Sequence, residues 1–439
     1  PESLPNGFDV RDFIVKNLAR KKDPAKILAD IQVLLQKTHR RAGDNPVPGD
    51  PESKESVTAK VDDVTRDPIA KIEVGSVKKL PTLKDVMKAF DKWLVMSDEL
   101  YDAVRVCLAT AFSATLPATP IWMFLVGPSG SGKTQVLSAL RASARCMFRS
   151  TVTPHSLVSG FDRDPDPSLL PLFNGLTVIF KDWTELLNLH PQARAEVDAV
   201  MRGAFDGFVE KSFGNSVVRK YYLHFSVLAG VTPAIHAYSQ ATLGERFLKF
   251  EILKGSGWAA DEEIGRAIDN IDAEQEKQDE LAKVCGEFLS RPCSMRDLPA
   301  LPPRIKSGIV NLVQMLAILR ASVEKNRADE VVYRPTHEMG TRAATQIALL
   351  VRLLAFLENR SVNDDDYRLA VRVAIDTANG FNFDVLRALM ELGGVGTFGQ
   401  IESMSEIPRT TLRTKLEDLR MVGVIFTRPL TPKEQAATR

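Results

Sequence analysis

The fold is decided by residues 121–134, which read IWMFLVGPSGSGKT. The apolar run from Ile121 to Val126 predicts a buried strand, and a glycine-rich turn follows it directly. The turn, from Gly127 to Thr134, satisfies the pattern G-x-x-x-x-G-K-[ST], and the residues after it predict a helix. Glycines let several backbone N–H groups point at phosphate oxygens, and the helix adds the positive end of its dipole. The segment therefore predicts a nucleotide site.

The positions of this loop have different expected roles. Lys133 is expected to neutralise the β- and γ-phosphates of ATP, and Thr134 is expected to ligate Mg²⁺. The alternative is a turn that binds nothing, and the strand and helix on either side argue against it. The expected nucleotide-binding residues are Gly127, Pro128, Ser129, Gly130, Ser131, Gly132, Lys133, Thr134 and Gln135.

A carboxylate is expected at the end of a neighbouring strand, where it would hold the water shell of the metal. Residues 176–180 read LTVIF, and Lys181 and Asp182 follow them. Many nucleotide hydrolases carry two adjacent acids here, whereas this chain has one. Asp182 is the predicted metal ligand, and Glu185 is the nearest second acid. Alternatively, Asp182 only caps the helix after the strand.

Composition indicates a packed protein of about three domains at roughly 150 residues each. Of its 439 residues, 44% are hydrophobic and 26% charged, and the formal net charge is +1. This balance excludes an acidic tail protein or a strongly basic wrapping protein, but it permits a local basic stripe. Strand, loop and helix patterns alternate through the middle of the chain and predict an α/β domain with a mostly parallel sheet.

Changes in composition and in the spacing of hydrophobic residues along the sequence predict five segments. Residues 1–37 have helical spacing, and residues 38–80 have the Pro-rich and charged composition of a flexible linker. Residues 81–255 form the expected α/β nucleotide-binding domain. The pattern is helical over 256–380, and the short helices of 381–439 resemble a winged helix-turn-helix followed by a tail.

Four cysteines lie far apart, without the spacing of a metal site. They indicate thiols in a reducing compartment. The apolar runs are shorter than the roughly 20 residues that a spanning helix needs, and residues 7–12 are too charged for a signal peptide. We therefore expect a cytoplasmic protein without a membrane partner.

The order of the motifs resembles that of the AAA+ ATPases. Residues 227–233 look like the strand that ends in the sensor-1 residue, here Thr232. Residues 243–247, LGERF, look like the arginine-finger segment, and Arg246 would be the finger. Arg342, at the head of a helix, looks like the sensor-2 residue. The expected catalytic set is therefore Lys133, Asp182, Glu185, Thr232, Arg246 and Arg342.

The resemblance spans roughly residues 98–428. It implies a P-loop core, a helical lid over 256–380, ATP hydrolysis with Mg²⁺, and a ring or spiral homo-oligomer, expected to be a hexamer. Arg246 would reach the γ-phosphate of the neighbouring subunit. The alternative for Arg246 is a surface pair with Glu245 or Glu251, and the alternative for Arg342 is an ordinary first-turn residue.

Within the AAA+ ATPases, the nearest resemblance is to the minichromosome-maintenance helicases and related clades with a hairpin before sensor 1. Residues 207–222 contain two β-prone arms around Gly214 and Asn215. In those enzymes the hairpin touches DNA in a central pore. The alternative is a solvated hairpin with one core phenylalanine. The sequence also resembles uncharacterised ATPases of phages and mobile elements, chiefly at residues 244–248. The expected nucleic-acid contacts are Lys211, Phe213, Arg219 and Lys220.

The C-terminal segment offers a second DNA candidate. Helices are predicted at 383–392, 398–404 and 408–422, and a wing strand at 424–426. A recognition helix of this kind can enter a major groove, although the same small domain is often a protein-docking module. Leu412, Leu416 and Leu419 would face the core, and the expected outward residues are Arg409, Thr410, Arg413, Thr414 and Lys415.

The leading functional prediction is an oligomeric ATPase that translocates on, unwinds or remodels DNA. One alternative is an ATP-controlled adaptor that assembles on DNA and recruits a recombination, transposition or defence partner. Another is a protein remodeller or signalling ATPase, in which the C-terminal helices dock protein. Residues 1–37 or these helices would contact a protein partner.

Overall fold

The computed structural model describes residues 80–237, 246–252, 258–320, 323, 331–332, 339–378, 380–429 and 431. The predicted N-terminal segment and the linker up to residue 79 lie outside these residues, as do Gly244 and Glu245 of the predicted finger segment.

The described strands form a central sheet and one hairpin. Five of them lie in the sheet in the spatial order β2-β3-β6-β1-β7, and every neighbouring pair is parallel. The predicted α/β class with a parallel sheet is thereby confirmed. The strands are β1 (Trp122–Val126), β2 (Cys146–Arg149), β3 (Thr177–Phe180), β4 (Phe208–Ser212), β5 (Val218–Tyr222), β6 (Ser226–Val231) and β7 (Phe247–Glu251).

Helices cover both faces of the sheet. Short 3₁₀ helices lie at Pro233–Ala237 and Ile271–Ala273. The described α-helices are α1 (Leu83–Trp93), α2 (Asp98–Ser113), α3 (Lys133–Ser138), α4 (Pro154–Leu157), α5 (Leu170–Phe173), α6 (Thr184–Leu187), α7 (Pro191–Phe205), α8 (Trp258–Asp269), α9 (Glu274–Leu289), α10 (Pro303–Leu319), α11 (Thr341–Leu357), α12 (Asp364–Thr377), α13 (Phe381–Glu391), α14 (Phe398–Ser405) and α15 (Arg409–Met421).

Strand β1 shows how the sheet divides the core into two layers. Successive side chains of a strand point to opposite faces. Met123 and Leu125 accordingly pack in the cluster that contains α2, whereas Trp122, Phe124 and Val126 pack in the cluster that contains α7. All five residues are buried, which is the pattern expected of a parallel strand covered on both faces.

In the described part of the helical region, α12 packs closely on the sheet. Helix α12 lies along the outer edge of β7, where the Thr377 hydroxyl accepts a hydrogen bond from the Lys249 N–H at 2.7 Å. The Asp376 carboxylate accepts another from the Glu251 N–H at 2.9 Å. These contacts satisfy donors that an edge strand would otherwise leave unpaired.

Two strands of the sheet were not predicted. Strand β2 lies at an edge and is half-buried along its length, so it lacks an apolar run. Strand β7 falls in the segment interpreted as the arginine finger, and Lys249 breaks its hydrophobic pattern although that side chain is 3% exposed. Both strands depend on neighbours that are distant in the sequence.

The C-terminal helices were predicted correctly and the wing strand was not. Helices α13, α14 and α15 lie close to the predicted bounds, and Leu412 and Leu419 are buried as expected. Residues 424–426, which the structure describes, form no strand. The N–H groups of Val424 and Ile425 instead donate to the carbonyl of Leu419, at 2.9 and 3.4 Å, and so close the end of α15.

None of the helices that the structure describes between residues 80 and 431 combines the length and the apolar character that crossing a bilayer requires.

Candidate nucleotide site

The phosphate loop joins β1 to α3 at the carboxyl edge of the sheet. Gly127 continues the sheet, because its N–H donates to the Val231 carbonyl at 3.1 Å. Gly130 and Gly132 have φ angles of +77° and +83°, which L side chains rarely adopt. Helix α3 begins directly at Lys133, so its first N–H groups and its dipole are directed at the hollow of the loop.

The side chain of Lys133 folds over this loop. Its ammonium donates to the carbonyls of Gly127 at 2.6 Å and Pro128 at 2.7 Å, and to the Ser131 hydroxyl at 3.2 Å. The residue is 9% exposed. A buried cation that faces a concave row of N–H groups is chemically suited to a polyphosphate. The loop therefore fits the phosphates of a nucleotide.

A cavity of about 580 Å³ opens at the phosphate loop. Its lining includes residues 129–135 and, from the ends of β3 and β6, Asp182 and Thr232. Parallel strands place their carboxyl ends at one edge of the sheet, and ligands of open α/β sheets bind there. Of the described residues, those that line the cavity include these two predicted site residues but not Glu185.

Asp182 has two contacts that bear on its role. The carboxylate lines the cavity, and it also accepts a hydrogen bond from the Thr184 N–H at 2.8 Å, at the start of α6. Asp182 therefore closes a turn before α6, whose N-cap is Trp183 and not Asp182 as the capping alternative predicts. This contact is compatible with metal binding, because a carboxylate offers four lone-pair sites. With the Thr134 hydroxyl, Asp182 supplies oxygen donors of the kind that Mg²⁺ prefers.

A second part of the cavity wall consists of residues that were not predicted. The junction of α1 and α2 contributes Trp93, Leu94, Val95 and Leu100, which form an apolar surface suited to a base. Helix α8 contributes Glu263, Ile264, Arg266 and Ala267, and α9 contributes Lys277. Local patterns carry no signal for this wall, because its parts lie far from the phosphate loop in the sequence.

Arg246 and Arg342 lie together, away from the phosphate loop. The Arg246 side chain is 8% exposed and donates to the Asp206 carboxylate at 2.6 Å, and its guanidinium lies 5.8 Å from the centre of the Phe205 ring. The Arg342 side chain, 47% exposed, lies 3.4 Å from the other oxygen of Asp206. Asp206 therefore bridges the predicted finger and sensor-2 residues. Glu245, one of the two partners expected in the alternative surface pair, lies outside the described residues.

This cluster lies at the amino edge of the sheet. Arg246 precedes β7, which runs parallel to β1 with Phe247 opposite Trp122. The Gln346 side chain of α11 donates to the carbonyls of Arg246 at 2.9 Å and Pro120 at 3.0 Å, both at that edge. A strand rises about 3.3 Å per residue, so β1 separates this edge from the phosphate loop by roughly 13 Å.

The predicted hairpin is present, and two of its expected DNA contacts are engaged within the chain. Strands β4 and β5 pair antiparallel. The Arg219 guanidinium donates to the carbonyls of Ser159 at 3.3 Å and Phe161 at 2.5 Å. The Phe213 ring packs so closely on Gly160 that a Cβ there would lie 2.5 Å from it. These contacts hold the hairpin on the loop before α5.

Tyr221 adds to the same contact. Its hydroxyl donates to Asp166 at 2.5 Å and lies 2.9 Å from the Ser168 hydroxyl. Burial raises the pKa of Tyr221 to about 12, and the hydrogen bond to Asp166 adds to that rise. The phenol is therefore a donor throughout the physiological range.

The two lysines of the hairpin differ in exposure. Lys211 is 25% exposed and lies 3.9 Å from Glu196 of α7, whereas Lys220 is 58% exposed and pairs across the hairpin with Glu210 at 3.4 Å. Of the four expected nucleic-acid residues of the hairpin, Lys220 is therefore the most accessible to a ligand.

On α15 the predicted outward residues are mostly exposed. The Arg409 side chain is 70% exposed and lies 3.5 Å from Glu402, and Arg413 is exposed. Lys415 is 22% exposed and lies 3.8 Å from Asp418, so it turns toward its own helix.

No protein-family model matches the sequence, and no curated protein matches it significantly.

Proposed function

We propose that this protein is an AAA+-type ATPase that binds ATP with Mg²⁺ at the phosphate loop and hydrolyses it as a homo-oligomer. Hydrolysis would be coupled to translocation on DNA, or to its unwinding or remodelling. The main support is the convergence of the phosphate loop, Asp182 and Thr232 on one cavity. These are the parts that phosphoryl transfer to water requires: a cradle for the phosphates, a metal ligand and a polar group near the reacting phosphate.

The chain's own residues would act mainly by positioning. The N–H groups of the loop orient the phosphates, and Lys133 exchanges its carbonyl partners for phosphate oxygens. Thr134 and Asp182 hold the Mg²⁺, which neutralises charge on the phosphates. The apolar wall around Leu94 excludes water from the base.

The position of Arg246 supports an oligomer. A guanidinium at the amino edge of the sheet lies too far from its own phosphate loop to contact that nucleotide. Arg246 and Arg342 are therefore inferred to act on the nucleotide of a neighbouring copy, for which Arg246 would leave Asp206. Positive charge delivered only in the assembled state makes hydrolysis depend on assembly.

The DNA-directed role draws on the exposed cations. Lys220 of the hairpin and Arg409 and Arg413 of α15 are available to phosphate groups. Because Arg219 and Phe213 are engaged within the chain, while the cations of α15 are exposed, a second candidate function is an ATP-controlled adaptor that holds DNA through α15.

Nucleotide turnover by Lys133→Ala tests the proposed hydrolase. The substitution removes the cation of the phosphate loop and should abolish turnover, whereas Lys283→Ala, at an exposed lysine of α9, should leave it unchanged. Undiminished turnover in Lys133→Ala would remove the assignment of the loop.

Two DNA assays separate the candidate functions. Strand displacement is expected of a motor and not of an adaptor. Filter binding across a salt series should show a steep slope, and Arg413→Ala should reduce that slope by about 0.9 if Arg413 contacts one phosphate. A flat salt dependence would argue against any direct role on DNA.

A further inference from the structure

The wall of the cavity at the phosphate loop contains a buried cation that the predicted site does not include. Lys277 lies on α9, its side chain is 6% exposed, and it lines the cavity together with Gln135 of α3. A buried ammonium loses hydration and requires a compensating negative charge. Such a group on the wall of a phosphate-binding cavity is suited to an anionic ligand.

Contacts around Lys277 hold it in place. Its ammonium pairs with Glu274, one turn away on the same helix. Glu274 also accepts a hydrogen bond from Gln278 at 2.9 Å and is hydrogen-bonded to the side chain of Gln135. The chain of contacts from α9 to α3 therefore runs through one carboxylate, which itself is 43% exposed.

Helix α9 is also fixed to α1, on the apolar side of the cavity. The Glu280 carboxylate accepts hydrogen bonds from the Trp93 indole at 2.8 Å and from Lys92 at 2.5 Å. Lys277 and Trp93 therefore line the same cavity as the phosphate loop, on two helices that Glu280 joins.

The other cations of the cavity are placed differently. Lys181 is exposed and lies 5.7 Å from the centre of the Phe148 ring, and Arg266 donates to the Asp91 carbonyl at 2.9 Å. Lys133 serves the end of the loop where the β- and γ-phosphates are expected. Lys277 is linked through Glu274 to Gln135, the residue after Thr134.

We propose that Lys277 is a second phosphate-binding cation of this site, that it contacts a phosphate that ADP and ATP share, and that Glu274 is its counter-ion when no nucleotide is bound. The proposal rests on the proposed nucleotide-binding function. The helical region thereby contributes a cation to the nucleotide of its own chain, at Lys277, whereas Arg342 lies at the opposite edge of the sheet.

Calorimetric titration of the full chain with Mg²⁺-ADP and Mg²⁺-ATP tests this. Lys277→Gln should weaken the binding of both nucleotides by about tenfold. This loss of affinity corresponds to about 1.4 kcal/mol for one charge-assisted hydrogen bond. Lys283→Gln, six residues along the same helix and exposed, is the matched control and should bind as the wild type. Loss of ATP affinity with unchanged ADP affinity would overturn the assignment to a phosphate that both nucleotides carry.

A second variant separates a ligand contact from structural damage. Glu274→Gln removes the competing counter-ion and should tighten ADP binding several-fold, whereas damage to the wall would weaken it. Weaker binding in Glu274→Gln, or wild-type binding in Lys277→Gln, overturns the proposal. If the wild type binds neither nucleotide, the proposed function fails as well, so the two failures are distinguishable.

Discussion

Asp206 is predicted to stabilise the fold through Arg246 far more than through Arg342. Removing one partner of a fully buried ion pair costs about 3–5 kcal/mol. The Arg246 side chain is 8% exposed and lies 2.6 Å from the carboxylate, but Asp206 itself is 44% exposed, which reduces the effect. We therefore expect Asp206→Asn to lower the free energy of unfolding by about 2 kcal/mol. The pair with Arg342, half-exposed on both sides at 3.4 Å, should contribute about 0.5 kcal/mol or less.

A double-mutant cycle measures the two contributions separately. Urea unfolding, followed by tryptophan fluorescence, is compared for Asp206→Asn, Arg246→Met, Arg342→Met and the two double variants. The coupling between Asp206 and Arg246 should be about 1–2 kcal/mol and should persist in 1 M salt, because the pair is largely shielded from solvent. The coupling to Arg342 should disappear in 1 M salt. Equal couplings, or an unchanged stability of Asp206→Asn, would refute this account of the cluster.

Three further predictions concern the assembly, the edge of β7 and the hairpin. Arg246→Ala should bind ATP but not hydrolyse it. Mixing it with Lys133→Ala should restore some turnover, because one variant retains the phosphate-loop lysine and the other retains the arginine finger. A mixture without restored turnover contradicts action between subunits. Burial raises the pKa of Asp376 from 3.8 to about 7, so the folded chain retains a proton that the unfolded chain has released. The free energy of unfolding contributed by this group therefore falls as the pH rises from about 4 to about 7, by at most about 1.4 kcal/mol per pH unit. In denaturation curves measured at pH 4.5 to 8, Asp376→Asn should flatten the dependence of stability on pH. An unchanged dependence contradicts the raised pKa. Gly160→Ala should destabilise the packing of the hairpin by about 1–3 kcal/mol, because the added Cβ would lie 2.5 Å from the Phe213 ring. Gly214→Ala is the control, since a Cβ there would have no neighbour within 4 Å. Limited proteolysis of the hairpin should distinguish these two variants, and equal cleavage counts against the packing.

Parts of the fold with a strong local pattern were predicted close to their observed bounds. The strand before the phosphate loop was predicted at 121–126 and begins at Trp122, and the hairpin around Gly214 pairs as expected. A separate helix α2 begins after α1, because Ser97 caps it by accepting the Leu100 N–H at 3.2 Å. The wing strand failed because its N–H groups close the preceding helix.

The predicted functional residues show the same contrast between a local pattern, which the sequence indicates, and tertiary packing, which it does not. Phe213 and Arg219 belong to a hairpin that was predicted, but their packing on the loop at 159–161 was not, because those partners lie more than 50 residues earlier. Spacing along the chain indicates the motif, and it does not indicate which face of the motif another segment covers.

The amino-acid sequence by itself determined the phosphate loop and the α/β class, because a glycine-rich turn, the helix after it and the buried strands are specified by short-range patterns. Only the tertiary structure decided that Asp206 joins Arg246 and Arg342, and that Lys277 lines the cavity proposed to bind the nucleotide. Those arrangements depend on which helix packs on which edge of the sheet, and they bring together side chains from distant parts of the chain whose proximity no local pattern encodes.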